Sequence, residues 1–305
     1  MNDRTDLPGH HDLPRLPRLP LLVTGATGVL GREVLRHARS TGSPVHALTR
    51  RAAFPTAAPD TPAPDTPALD TPASDTPTPD STDPATADPA TTPAPHWHTG
   101  DLTTGTGLDE ALTGIDTVIH CASDPRHPGN DLPAFRHLVD AARRAGVRHL
   151  VNISIVGVDR IPMRYYRIKL RGEELLAASG LGWTNLRATQ FPQLLDGMLG
   201  SLAKLPLLPM VSRTPVQPVH PAEVAARLVE LALGDPVGHA PDFAGPETRP
   251  ATDLAADWLR AEGRHRRVLP VHLPGRAGRA LRAGALTAPQ NAYGSRTWAE
   301  YLAER

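Results

Sequence analysis

The chain has 305 residues, with 32 basic and 32 acidic side chains and a formal net charge of zero. That length suits one large α/β domain or one domain with a smaller lobe, and the balanced charge gives no global argument for nucleic acid or an anionic membrane as partner. A single cysteine, Cys121, excludes an internal disulfide and points to a reducing compartment; no run of about 18 apolar residues marks a membrane span, so a cytoplasmic protein is expected.

Residues 1–19 read as a disordered leader. Leu21–Thr24 is an apolar strand that runs straight into Gly25, Gly28 and Gly31, spaced G-x-x-G-x-x-G. An amphipathic helix follows over Val29–Ser40, with Val29, Leu30, Val34, Leu35 and Ala38 on one side. A strand, a glycine turn carrying Thr27 and a helix form the unit that binds a dinucleotide pyrophosphate. Gly25 allows the tight turn, Gly28 removes a Cβ where backbone must approach phosphate, and Gly31 lets the helix close on the strand. The helix N-terminus then offers free N–H groups to the anion.

Pro44–Thr49 reads as the second strand. An NAD site carries an acid near the end of this strand, for the ribose 2′-hydroxyl. Here Arg50 and Arg51 follow Thr49, and guanidinium forks suit a 2′-phosphate, so NADP is expected over NAD. Residues 55–95 then break the pattern, with twelve prolines, seven aspartates and no lysine, arginine or aromatic residue. Such a segment has too little apolar surface to offset its ordering entropy and reads as a disordered acidic insertion in a surface loop.

His96–Leu102 is a short strand leading to Asp101, and Leu108–Leu112 a short helix. Asp116–Ala122 is strand four, and the backbone around Cys121 and Ser123 at its end is expected to border the cofactor. A helix over Leu132–Ala145, a strand over His149–Ser154, a helix over Arg167–Ser179 and a strand over Trp183–Ala188 complete the alternation. This rhythm gives a doubly wound parallel sheet. The expected organisation is a nucleotide-binding domain over 20–190, interrupted by 55–95, and a small C-terminal substrate lobe over 191–305. In the lobe, helices are expected at Leu194–Leu202, Pro221–Leu233, Leu254–Ala261 and Ser295–Glu304. Pro206–Pro218 reads as a loop, and Phe243–Gly245 as a short strand.

Tyr165 stands four residues before Lys169, so on a helix the two share a face. Thirty of the 32 basic residues are arginine; Lys169 and Lys204 are the only lysines. A compact ammonium at 169 suggests work that a planar guanidinium does not do. Ser154, at the end of strand five, is the third candidate, and Arg187, Gln190 and Phe191 are expected at the substrate pocket. No group of histidines has a metal-ligand spacing.

Taken together, TGATGVLG, GDL, NIS, YYRIK and LRATQF, in that order over about residues 21–235, resemble the atypical short-chain dehydrogenase/reductases, most closely the NmrA-like NAD(P)-binding branch. The resemblance implies a Rossmann-type fold. It assigns Gly25, Gly28, Gly31, Asp101 and Lys169 to the cofactor, and Thr27, Arg50, Arg51 and Ala122 are expected at the same site. It also implies catalytic roles for Tyr165 as proton donor, Lys169 as its electrostatic partner and ribose ligand, and Ser154 as holder of the substrate oxygen. An NADP-dependent oxidoreductase acting on a carbonyl or quinone-like small molecule is expected. The alternative is an NADP-binding sensor without chemistry, which shares the glycine turn and does not need Tyr165.

Overall fold

The computed structural model describes residues 19–50, 93–124 and 127–305. Arg51, the leader and most of segment 55–95 lie outside the described residues. The first part of the chain alternates strictly. β1 (Leu21–Thr24), α1 (Val29–Ser40) and β2 (Val45–Thr49) come first. β3 (His96–Thr99), α2 (Leu108–Leu112), β4 (Thr117–His120) and α3 (Asp131–Ala145) follow. β5 (His149–Ile155), α4 (Arg164–Ala177) and β6 (Gly182–Ala188) close the series. The later part holds α5 (Pro192–Leu202), β7 (Leu208–Val211), β8 (Pro215–Val216), α6 (Pro221–Leu233) and β9 (Gly238–His239). It ends with β10 (Arg249–Pro250), α7 (Ala251–Ala261), β11 (Val268–Val271), α8 (Gly275–Arg282) and α9 (Trp298–Ala303).

Seven strands form one parallel sheet in the order β3-β2-β1-β4-β5-β6-β9. β1 and β4 are buried at every position, as their unbroken apolar runs require of strands covered on both faces. On one face, Leu30, Val34 and Leu35 of α1 meet Val224, Leu228 and Val229 of α6. On the other, Leu108 and Leu112 of α2 pack with Phe135 and Leu138 of α3 and Leu176 of α4. Each such side chain contributes about 1.5–3 kcal/mol by leaving water. The strand order reverses between β1 and β4, which opens a crevice at their carboxyl ends.

The C-terminal third differs from the sequence expectation in two ways. The stretch over 191–305 is not one lobe. α6 packs on α1, and β9 extends the main sheet through Thr184↔Gly238 and Asn185↔His239. The apolar face of α1 is the physical reason, since it needs a covering helix and α6 supplies it. Pro206–Pro218 is not a loop either. β7 pairs in parallel with β11, and β8 in antiparallel with β10. Prolines 209, 215, 250 and 270 sit in these two-stranded ribbons, where a missing N–H on an outer edge is tolerated. Phe243 makes a single bridge to Ala188. The rest of the lobe closes around Trp258 and Trp298, each 2% exposed, with Leu199, Leu254 and Leu259. The helix expected from Ser295 begins at Trp298, because Thr297 and Glu300 form a reciprocal capping box. No helix among the described residues is long and apolar enough to cross a membrane.

Candidate functional site

A cleft of about 250 Å³ opens where the sheet order reverses. The β1–α1 turn forms one wall with Gly25, Thr27 and Gly28. Arg50 and Asp101 stand at the ends of β2 and β3, and Ala122 and Ser123 follow β4. Gly25 has φ +69°, and a Cβ there would lie 2.6 Å from the Ala122 nitrogen. A Cβ on Gly31 would lie 2.1 Å from the Gly25 carbonyl oxygen, so the helix rides directly on the turn. Gly28 is the N-cap of α1. No side chain caps the first turn and no acid stands in it, which leaves its N–H groups and positive dipole end for an anion. These features fit a dinucleotide pyrophosphate. Arg50 is exposed on the cleft wall. The Asp101 carboxylate accepts the Thr103 N–H at 2.8 Å and so shapes its own turn.

Next to Ser123 and Asp131 of the cleft wall, α4 brings Tyr165 and Lys169 onto one face, as their spacing requires. Lys169 Nζ lies 5.9 Å from the centre of the Tyr165 ring. It also lies 3.6 Å from Asp131 Oδ2, with both side chains mostly covered. Asp131 begins α3 and is the functional candidate that sequence reasoning missed. Its carboxylate accepts the Ser123 hydroxyl at 2.7 Å and the Asp124 N–H at 2.8 Å. Ser123 Oγ is 3.1 Å from Tyr165 Oη. A serine has one proton to give, and here Asp131 takes it, so Tyr165 donates to Ser123. The result is a directed chain from Tyr165 through Ser123 to Asp131, with the Lys169 ammonium beside it. Its only sequence signal was an acid opening a helix just past the carboxyl end of strand four.

Ser154 stands apart from this chain. β5 runs on to Ile155, and Ser154 is 4% exposed in the ladder opposite Arg187. Its Oγ has no hydrogen-bond partner. The serine that meets the Tyr165 hydroxyl is Ser123. Arg187 is not free to meet a ligand either. It donates twice to Glu173, at 3.0 and 2.7 Å, and once to Asp159 at 3.1 Å, and these partners hold its pKa above the ordinary guanidinium value. Gln190 bonds the Leu286 carbonyl and the Gln217 N–H, and Phe191 packs on the core.

His120, at the end of β4, connects the cleft to a small chamber that Asn152 and Lys169 also line. Its Nδ1 is 2.7 Å from Thr24 Oγ1, and its ring stacks on Phe135. Burial, then the nearby Lys169 charge, pushes its pKa down to about 3. The imidazole is therefore neutral in the folded protein. Between pH 6.5 and about 3 the unfolded chain binds a proton that the native chain refuses, so stability rises with pH across that window. The free energy of unfolding, measured by urea titration, is expected to fall as the solution is acidified below pH 6.5, by up to about 1.4 kcal/mol per pH unit from this residue. His120→Gln should flatten that slope. An unchanged slope in the variant would place the acid sensitivity elsewhere. Burial also pushes the Cys121 thiol up to about 12, which makes it a small packing residue and not a nucleophile.

A reversed parallel sheet, a glycine turn under an open helix end and a cleft running between them define a Rossmann-type dinucleotide-binding protein. Residues 81–230 match the family described as NAD(P)H-binding, and the chain carries an NAD(P)-binding domain. The matched stretch begins after the glycine turn and ends in α6. Among curated relatives, the (4-alkanoyl-5-oxo-2,5-dihydrofuran-3-yl)methyl phosphate reductase of Streptomyces griseus is 29% identical over 246 residues. The alignment covers 79% of this chain and 73% of that one. Among solved structures, the NADPH-dependent quinone oxidoreductase of Escherichia coli, in complex with NADPH, superposes with a TM-score of 0.69 at 18% identity. It covers 93% of this chain and 99% of its own. The Citrobacter sp. triphenylmethane reductase complexed with NADP(H) gives 0.66 at 17% identity, over 94% and 99%. At these identities the structures establish the fold.

Proposed function

We propose that the protein is an NADPH-dependent reductase of the atypical short-chain type, acting on a carbonyl or quinone-like small molecule. The observation that carries this reading is the directed chain from Tyr165 through Ser123 to Asp131 at the end of a dinucleotide cleft. A purely structural tyrosine needs no such partners. The reductase names of the relatives above support the same class. The cofactor, when bound, supplies the hydride.

The protein's own residues supply position and protons. The Tyr165 hydroxyl gives its proton to the substrate oxygen as negative charge develops there. The phenolate left behind is held by the Lys169 ammonium and by the Ser123 hydroxyl, which turns to it from Asp131. Solvent at the cleft mouth restores the proton. Gly25, Gly28 and the first turn of α1 hold the pyrophosphate, and Arg50 takes the 2′-phosphate.

The test is a titration with NADPH and NADH, followed by a carbonyl and quinone panel at saturating cofactor. NADPH is expected to bind more tightly and to be oxidised by a panel member. Arg50→Ala should weaken NADPH by about tenfold or more, one charge-assisted phosphate contact, and leave NADH unchanged. Equal losses for both nucleotides would remove Arg50 as the selectivity residue. Tight NADPH binding with no oxidation would favour the sensor reading, and failure to bind either nucleotide would overturn the cofactor site.

A further inference from the structure

On the seam between α4 and α8, apart from the cofactor cleft, lies a hollow of about 350 Å³. Arg160, Arg167, Arg276 and Arg279 line it over an apolar floor that includes Ile161 and Leu170, and none of them lines the cleft. The one acid in its wall, Asp159, is engaged. It accepts from Arg187 at 3.1 Å and sits 3.9 Å from Arg160 Nε. Among the described residues no carboxylate pairs with Arg167, Arg276 or Arg279.

Other helices match some of their arginines with acids one turn away. On α1, α6 and α7, an arginine has an acid three residues away: Arg36 with Glu33, Arg227 with Glu230, Arg260 with Asp257. On α8, the residue three positions from Arg276 is Arg279. Like charges at that spacing repel, and an anion between them reverses the sign. The helix is also fixed in place. Leu281 and Ala285 pack with Ile161 and against Tyr166, and Arg282 Nη1 donates to the Leu273 carbonyl at 2.9 Å, closing the turn that enters α8. Arginine stems on a rigid helix, facing two more arginines across a hollow, form a preorganised set of forks for a multiply charged oxyanion.

We propose that this hollow is a second anion site, distinct from the dinucleotide cleft, which takes the phosphoryl group of a small phosphorylated ligand. A carboxylate, with one charge, would leave most of the cationic wall uncompensated. A phosphate monoester or diphosphate matches it.

Inorganic pyrophosphate serves as the probe, titrated by calorimetry into the full chain saturated with NADPH. Binding is expected, and the double variant Arg276→Ser with Arg279→Ser should weaken it by at least about tenfold. Arg167→Gln, on the facing helix, should weaken it several-fold, whereas Arg36→Ser, far from the hollow, should leave it unchanged. Circular dichroism checks that each variant is folded. Absence of binding by the wild type, or equal binding by wild type and double variant, would overturn the proposal. A chain that fails to bind NADPH but loses pyrophosphate binding in the double variant would sink the cofactor reading and leave this site standing.

Discussion

Tyr165→Phe is expected to lower kcat by about 10²–10⁴-fold while leaving NADPH affinity unchanged. The substitution removes one oxygen and keeps the ring that faces Lys169 at 5.9 Å. What disappears is the proton donor and the bond to Ser123 at 3.1 Å. A loss confined to kcat, measured at saturating NADPH, is the signature of a group that acts in the transition state. Ser123→Ala should lower kcat by a smaller factor, since the phenolate then keeps only Lys169. If Tyr165→Phe retains full turnover, the proton comes from elsewhere and the Ser123–Asp131 chain is structural.

Gly31→Ala is expected to destabilise the fold and weaken nucleotide binding together. Alanine in a helix interior ordinarily gains about 0.8–1.0 kcal/mol over glycine. At residue 31 the new Cβ would meet the Gly25 carbonyl oxygen at 2.1 Å and Ala26 Cα at 2.8 Å. Both are backbone atoms, so α1 must lift from the turn. Overpacking of this kind costs about 1–3 kcal/mol and moves the N–H groups that would face pyrophosphate. Gly197→Ala in α5 is the matched control, because its Cβ would meet nothing within 4 Å. It should be stabilising by up to about 1 kcal/mol. Urea unfolding of the two variants separates propensity from packing, and a stabilised Gly31→Ala would show that α1 does not ride on the turn as tightly as its geometry implies.

The Rossmann half was legible because each of its signals is local. The apolar run of β1, the glycine spacing and the stripe of α1 lie within about twenty consecutive residues, and the Tyr165–Lys169 spacing is one helical turn. Asp131 was not legible, since nothing nearby in sequence ties it to Tyr165. Only the folding of α3 against α4 brings the two within reach of Ser123. Ser154 was misleading for the complementary reason, as strand-end position says where a residue sits and not what its hydroxyl meets. The C-terminal ribbons escaped because their prolines mimic loop composition, and their pairings join β7 to β11 and β8 to β10 across long stretches of chain. The return of α6 to α1 was hidden in the same way. Both helices advertise an apolar face, and neither names its partner.

That return has a mechanical consequence. The chain leaves the sheet after β6, builds part of the lobe, comes back as α6 and β9, and leaves again to finish it. The lobe therefore hangs on three strings of backbone, one leaving at Gln190, one returning at Val219 and one leaving near Gly245, and the Val219 N–H donates to the Gln190 carbonyl at 2.9 Å. A Cβ on Gly245 would lie 1.6 Å from the Pro218 carbonyl oxygen, so these strands of chain press together where they cross. Cutting the chain after residue 190 would strip α1 of its cover, α6, as well as removing the lobe.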